Sequence, residues 1–309
     1  MSDLSAYTLR FLEYLVLMFL FGVPLLGWYG SRRSALVDAL AGWPLMGMLW
    51  VTAAIGVVLT GADVVFKTAT IIGMSIADVD RASLGWYLLE TPAGRAAMVR
   101  GALLVALVFV FGWHRRRSQP GSVFPLAATL AGGALATLAW NGHAAAGEGL
   151  WGVLRLVAGV VHLLAAGGWI AAVLMFLVML LRREETSGNA RLRSTHDLLH
   201  AFSALGMVFV GALVVSGIAH YGDLTGWSLS ALVQSTYGKL LLFKLALFGG
   251  MLGLGALHNW TRVPRLGRAL TRGDPAQEVR ALRQSVAAEA ALATLILIIV
   301  SVLGTLSPH

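Results

Sequence analysis

His162 lies about eleven residues into an apolar stretch, 152–181, that is long enough to cross a bilayer. An imidazole there can ligate a metal, hold a haem iron or carry a proton. Ionisable groups at membrane depth are costly, and they face a protein interior or a cavity. Two further histidines close other apolar stretches. His143 falls in Trp140-Asn-Gly-His-Ala-Ala-Ala-Gly-Glu148, and His220 opens His220-Tyr-Gly-Asp223, so each comes with a carboxylate nearby. With ~1.5 Å rise per residue, His162 is about 15 Å below the start of its helix. The metal-site candidates are therefore His143, His162, His220, Glu148 and Asp223, with His309 at the chain end as one more. Plainer readings stand beside them: a solvated loop histidine at 143, an interfacial one at 220, and at 162 a buried ring bonded to a neighbouring hydroxyl.

The elements that must position these residues follow from composition. The chain is 58% hydrophobic and 12% charged, with mean hydropathy +0.77, beyond the range of a water-soluble globular domain. Crossing the hydrocarbon core needs roughly 20 apolar residues, and eight segments meet that need: 9–29, 43–66, 95–113, 123–141, 152–181, 200–221, 238–258 and 286–306. They must be helices, because lipid offers no partners for backbone N–H and C=O groups. The expected fold is all-α, a polytopic membrane protein with eight transmembrane helices in a single domain, 1–309.

The net charge of +8 does not point to nucleic acid, because its arginines alternate between loops. Arg32 and Arg33, Arg115 to Arg117, Arg182 to Arg193, and Arg262 to Arg283 occupy every second connection. That is the positive-inside pattern, which places these loops in the cytoplasm and both termini outside. His143, His220 and the start of the helix bearing His162 then share the outward side. The first span follows Met1-Ser-Asp-Leu without a basic leader or cleavage site, and reads as a retained helix. Cysteine is absent, so a transition metal would rely on His, Met, carboxylate or backbone ligands. Met175 and Met179 cannot extend a ladder from His162, since at ~100° per residue they point away from it. His196 and His200 share a helix face beside several arginines and read as a solvated helix start.

The two halves echo one another. Leu9-Arg-Phe-Leu12 matches Leu154-Arg-Leu-Val157, and the same offset aligns Gly22 with Gly167. Thr60-Gly61 matches Ser216-Gly217, and Thr91-Pro-Ala-Gly94-Arg95 with Arg100 matches Thr236-Tyr-Gly238-Lys239 with Lys244. Repeats of four spans insert in the same orientation, so halves 1–145 and 146–309 are expected as two parallel four-helix repeats about an axis along the membrane normal. Arg100 and Lys244 either snorkel outward or pair with carboxylates such as Glu13. The segment 67–94 is expected as an interfacial helix with Trp86 and Tyr87 at headgroup level, and 262–284 as a surface-lying linker. Glu289 is expected to pair with a loop arginine or to sit by a pathway exit.

Tyr237-Gly-Lys-Leu-Leu-Leu-Phe-Lys244, Leu257-His-Asn259 and Val263-Pro-Arg-Leu266 resemble the seventh-helix signature of the copper resistance D (CopD/PcoD) family. Leu282-Arg-Gln-Ser-Val-Ala-Ala-Glu-Ala-Ala-Leu292 and Leu303-Gly-Thr-Leu-Ser-Pro308 resemble its final helix, and Val161-His-Leu-Leu-Ala-Ala-Gly-Gly-Trp169 its fifth. The resemblance implies a bacterial inner-membrane copper transporter or permease rather than an enzyme, with a copper ion as cargo and a periplasmic copper-binding partner of the CopC type. Two rival expectations remain at this level: a membrane cytochrome with bis-His haem ligation, and a docking partner for a periplasmic copper chaperone that does not itself transport.

Overall fold

A computed structural model describes residues 3–31, 44–115, 123–141, 149–181, 188–225 and 233–305. Among them every element is helical and there is no strand. The helices are α1 (Asp3–Ser31), α2 (Leu45–Ile72), α3 (Arg81–Glu90), α4 (Pro92–His114), α5 (Phe124–Ala136), α6 (Gly149–Leu181), α7 (Gly188–Thr225), α8 (Thr236–Leu257), α9 (Val263–Arg272) and α10 (Ala276–Leu303). Seven helical segments are long and apolar enough to span a membrane. The eighth expected span is shorter: α5 has 13 residues, and a 3-10 segment, Thr137–Asn141, continues it.

Local chemistry sets the helix ends. Gly73, at φ 76°, terminates α2 in a left-handed conformation that glycine adopts without a Cβ clash. Asp80 caps α3 by accepting the Ser83 backbone N–H at 2.8 Å, and hydrogen bonding from Ser83, its side chain first and its backbone N–H second, holds the Asp80 carboxyl below the usual carboxylate range. Thr91 caps α4 through the Gly94 N–H, and Ser235 caps α8 through the Gly238 N–H, both at 2.9 Å. The residue equivalent to Thr91 is therefore Ser235, one position before Thr236. Segment 67–94 is not one interfacial helix. It comprises the end of α2, a 3-10 turn at Ile76–Asp78, and α3, and Tyr87 is fully buried while Trp86 is exposed. Segment 262–284 is also helical. Val263, Leu266 and Leu270 bury one stripe of α9 at i, i+3 and i+7, and α9 packs on α7.

The core runs along α1 and α6, which pack on each other and between them touch α2, α5, α7 and α10. Hydrogen bonds join the ends of distant segments. Arg10 donates to the Gly304 carbonyl, and Tyr29 donates to the Ala201 carbonyl at 2.8 Å. The start of α1 and the end of α10 thus share one face, poor in arginine. The end of α1 meets α7 towards the opposite, arginine-rich face.

Gly22 and Gly167 meet where α1 crosses α6. A Cβ on Gly22 would stand 2.2 Å from Ala171 Cβ and 2.8 Å from the Gly167 carbonyl oxygen. Small residues permit such close backbone approach between membrane helices. Gly22→Val is expected to cost about 1–3 kcal/mol, the usual range for overpacking. Thermal unfolding of the purified variant would show this, and a midpoint equal to wild type would contradict it.

Candidate metal centre

The apolar helices α6 and α7 pack side by side, and this brings His162 and His220 together. Their ring centres are 5.7 Å apart, at an interplanar angle of 83°. His162 Nδ1 lies 2.9 Å from Ser216 Oγ, one turn before His220 on α7. Ser216 donates its own proton to the Ala212 carbonyl, so its lone pair must accept from His162 Nδ1–H. That assignment leaves the Nε2 lone pair of His162 unprotonated and available to a metal. A metal-binding imidazole is commonly oriented in this way by a hydrogen bond to its other nitrogen. The ring bonded to a hydroxyl, one of the plainer expectations for His162, is therefore present, with the ring half-buried, and the contact is compatible with a ligand role. Zinc–imidazole bonds of about 2.0–2.1 Å give the scale: two rings at this separation can approach one ion after a modest side-chain rotation. Lys244 of α8 is close enough to act on His162 electrostatically.

The N-terminal half holds a different polar cluster. Arg100 of α4 is fully buried. Its Nη2 stands 3.0 Å from Glu13 Oε1 and 3.2 Å from Asp63 Oδ2, and its Nε donates to Thr60 Oγ1 at 3.3 Å. Lys67 completes the set at 2.6 Å from Asp63 Oδ2. Two carboxylates and two cations thus close α1, α2 and α4 around a neutral centre. The expected pairing of Arg100 with Glu13 is present. Asp63 is a buried residue within α2. Beside the cluster, burial pushes the Tyr87 phenol up to about 12, so it stays neutral. In this half α2 and α4 pack closely, whereas α7 and α8 scarcely touch among the described residues.

The remaining candidates fall elsewhere. His143, Glu148 and His309 lie outside the described residues. Asp223 continues the α7 backbone beyond His220, but its side chain is outside what is described. Among the described residues, no group of three His, Asp or Glu side chains forms a ready metal cage. Met175 and Met179 are core packing. His196 and His200 stack at 6.5 Å with His196 against Asp197. The sequence reading missed Ser216 as the partner of His162, although the Ser216-Gly217 echo and its spacing of four from His220 were visible. Glu289, expected to pair with a loop arginine or to sit by a pathway exit, has no arginine partner among the described residues. Instead, His258 Nδ1 faces Glu289 Oε2 at 3.1 Å, and Trp169 Nε1 donates to Glu289 Oε1 at 3.0 Å.

Comparison with known proteins bears on this arrangement. The chain is 36% identical over 312 residues to "Copper resistance protein D" of Pseudomonas syringae pv. tomato, covering 100% of this chain and 98% of that protein. The chain belongs to the copper resistance protein D family. Residues 1–153 match the model of the copper resistance protein D-like N-terminal domain, and residues 196–303 match that of copper resistance protein D itself. The first family segment contains the Arg100 cluster. The second contains Ser216, His220, Lys244, His258 and Glu289, while His162 and Trp169 lie between the two. "Copper transport protein CutJ" of Bacillus subtilis (strain 168) is 27% identical over 214 residues, 65% of this chain and 38% of that protein. Both relatives carry names for copper resistance or transport, and the apolar helices fit a multi-pass membrane protein. No solved structure matches the chain.

Proposed function

We propose that this chain is an inner-membrane copper transporter that takes copper from the periplasmic side and holds it between α6 and α7. The observation that carries the reading is the His162–His220 pair with Ser216 fixing the tautomer of His162. Imidazole nitrogen suits both copper oxidation states. Copper arriving from a periplasmic protein of the CopC type would meet His143, Glu148, Asp223 and His220 first, with His309 nearby, and then pass to His162. The carboxylates raise the local cation concentration. No catalysis is involved.

The arrangement in the bilayer belongs to the same proposal. The arginine-rich face is cytoplasmic and both termini are periplasmic. The segment 124–141 serves as a short eighth span, giving two parallel four-helix repeats, 1–145 and 146–309. Several observations support that symmetry. Gly22 and Gly167, aligned by the repeat, meet at the α1–α6 crossing. Thr60 hydrogen-bonds Arg100 while its counterpart Ser216 hydrogen-bonds His162. Thr91 and Ser235 cap equivalent helices. On this view one half is closed by fixed charges and the other carries the metal. Copper is preferred to haem because both relatives are named for copper, one for copper resistance and the other for copper transport.

Copper flux into vesicles bearing the purified protein tests the reading. Wild type is expected to move copper, and His220→Ala to reduce the initial rate at least about tenfold, a loss equivalent to ~1.4 kcal/mol. Equal rates for the variant and wild type would contradict it.

A further inference from the structure

A second set of buried polar groups has no part in copper binding. Of the three buried carboxylates among the described residues, Glu13, Asp63 and Glu289, the first two are matched by Arg100 and Lys67. Glu289 is matched by no lysine or arginine among the described residues. Its Oε1 accepts the Trp169 indole N–H, and its Oε2 faces His258 Nδ1. His258 Nε2 is 2.8 Å from Ser285 Oγ, one turn before Glu289 on α10. Among the described residues, the only ionisable group touching this carboxylate is thus an imidazole, a side chain able to bind and release a proton. His258 also opens a π-helical turn, His258–Arg262, between α8 and α9, a local widening that is frequent at functional sites. The other ionisable groups on the elements packed against α10 are Arg155 and His162 on α6, Tyr237, Lys239 and Lys244 on α8, Arg262 in the wide turn, Arg265, Arg268 and Arg272 on α9, and Asp3, Tyr7, Arg10, Glu13, Tyr14 and Tyr29 on α1.

The position of the pair connects it with the metal centre. Trp169 lies seven residues after His162 on α6, which is two turns along the helix, about 10 Å, on nearly the same face. We propose that Glu289 and His258 form a proton-binding site and that copper passing His162 exchanges against the proton held there. The proton site stands on its own geometry, while the exchange rests on the copper-transport reading. With the proton bound, the pair is a carboxylate and an imidazolium: Nδ1–H points at Oε2, Nε2–H points at Ser285 Oγ, and the net charge is zero. Release of the Nε2 proton to water at the arginine-rich face leaves a neutral imidazole that accepts from the Ser285 hydroxyl, and the pair carries one negative charge. No other bond changes. A buried net charge is costly in a low-dielectric interior, so the empty state is favoured when a cation is near and the loaded state when it has left.

The test has two arms on the full-length protein in lipid. In the first, pH-difference infrared spectra without copper are expected to contain one titration step in wild type that Glu289→Gln and His258→Gln both abolish. Ser285→Ala, which removes only the Nε2 partner, is expected to shift the step and not to abolish it. If either variant fails to fold, the Ser285→Ala shift alone decides. Variant spectra that superimpose on wild type would overturn the proton site. In the second arm, copper accumulation is measured across an imposed pH step. One-for-one exchange predicts about a tenfold change in accumulation per pH unit in wild type, lost in Glu289→Gln. Wild-type copper flux that ignores the pH step would overturn the exchange. Absence of any wild-type flux would instead overturn the copper-transport reading, with the infrared step still deciding the proton site.

Discussion

Replacing Arg100 with methionine is expected to destabilise the folded chain by about 3–5 kcal/mol, the usual cost of removing one partner from a buried ion pair. Arg100 is fully buried and is the group that neutralises Glu13 and shares Asp63 with Lys67. Methionine fills much of the same volume, so the loss is electrostatic more than steric. Glu13 would be left buried without its cation, and Asp63 with Lys67 alone. The paired variant Arg100→Met with Glu13→Gln removes one charge of each sign and is expected to recover much of the loss, because an uncompensated charge costs more than an absent pair. Thermal unfolding of the three purified proteins in the same lipid measures this. A single variant within about 1 kcal/mol of wild type would mean that water reaches the cluster and screens it.

The second large effect concerns metal affinity. His162→Ala removes the proposed ligand, whose ring is held by Ser216, and is expected to abolish copper retention by the membrane site. Ser216→Ala keeps the ring but frees its orientation. Loss of such supporting contacts typically costs 10–100-fold in metal affinity, so that variant is expected to bind copper, weakly. Competition against a copper chelator of known affinity separates the two. Ser216→Ala binding as tightly as wild type would show that the hydroxyl contact is packing and not ligand support.

Much of this arrangement was legible before the fold was seen. Hydropathy reports how a segment partitions into lipid, and it identified the seven long apolar helices, including the one that carries His162. It also brought Arg100 and Glu13 within reach of each other. It failed where the answer depends on which faces of distant helices meet. The apolar run 43–66 marks Asp63 as near a helix end, whereas α2 continues to Ile72 and Asp63 meets Arg100 of α4 inside the bundle. Glu289, Trp169 and His258 are separated by 120 and 31 residues in sequence. Their meeting depends on α6, α8 and α10 packing side by side, which no local pattern encodes. Ser216 was visible only as one half of a repeat. Its role as the partner of His162 comes from the register of α6 against α7.

A copper-soaked structure measured at the copper absorption edge tests the central claim most directly. The account predicts one anomalous peak between α6 and α7, within bonding distance of His162 Nε2 and a nitrogen of His220. A peak confined to His196 and His200, or no peak near His162 in fully loaded protein, would contradict it.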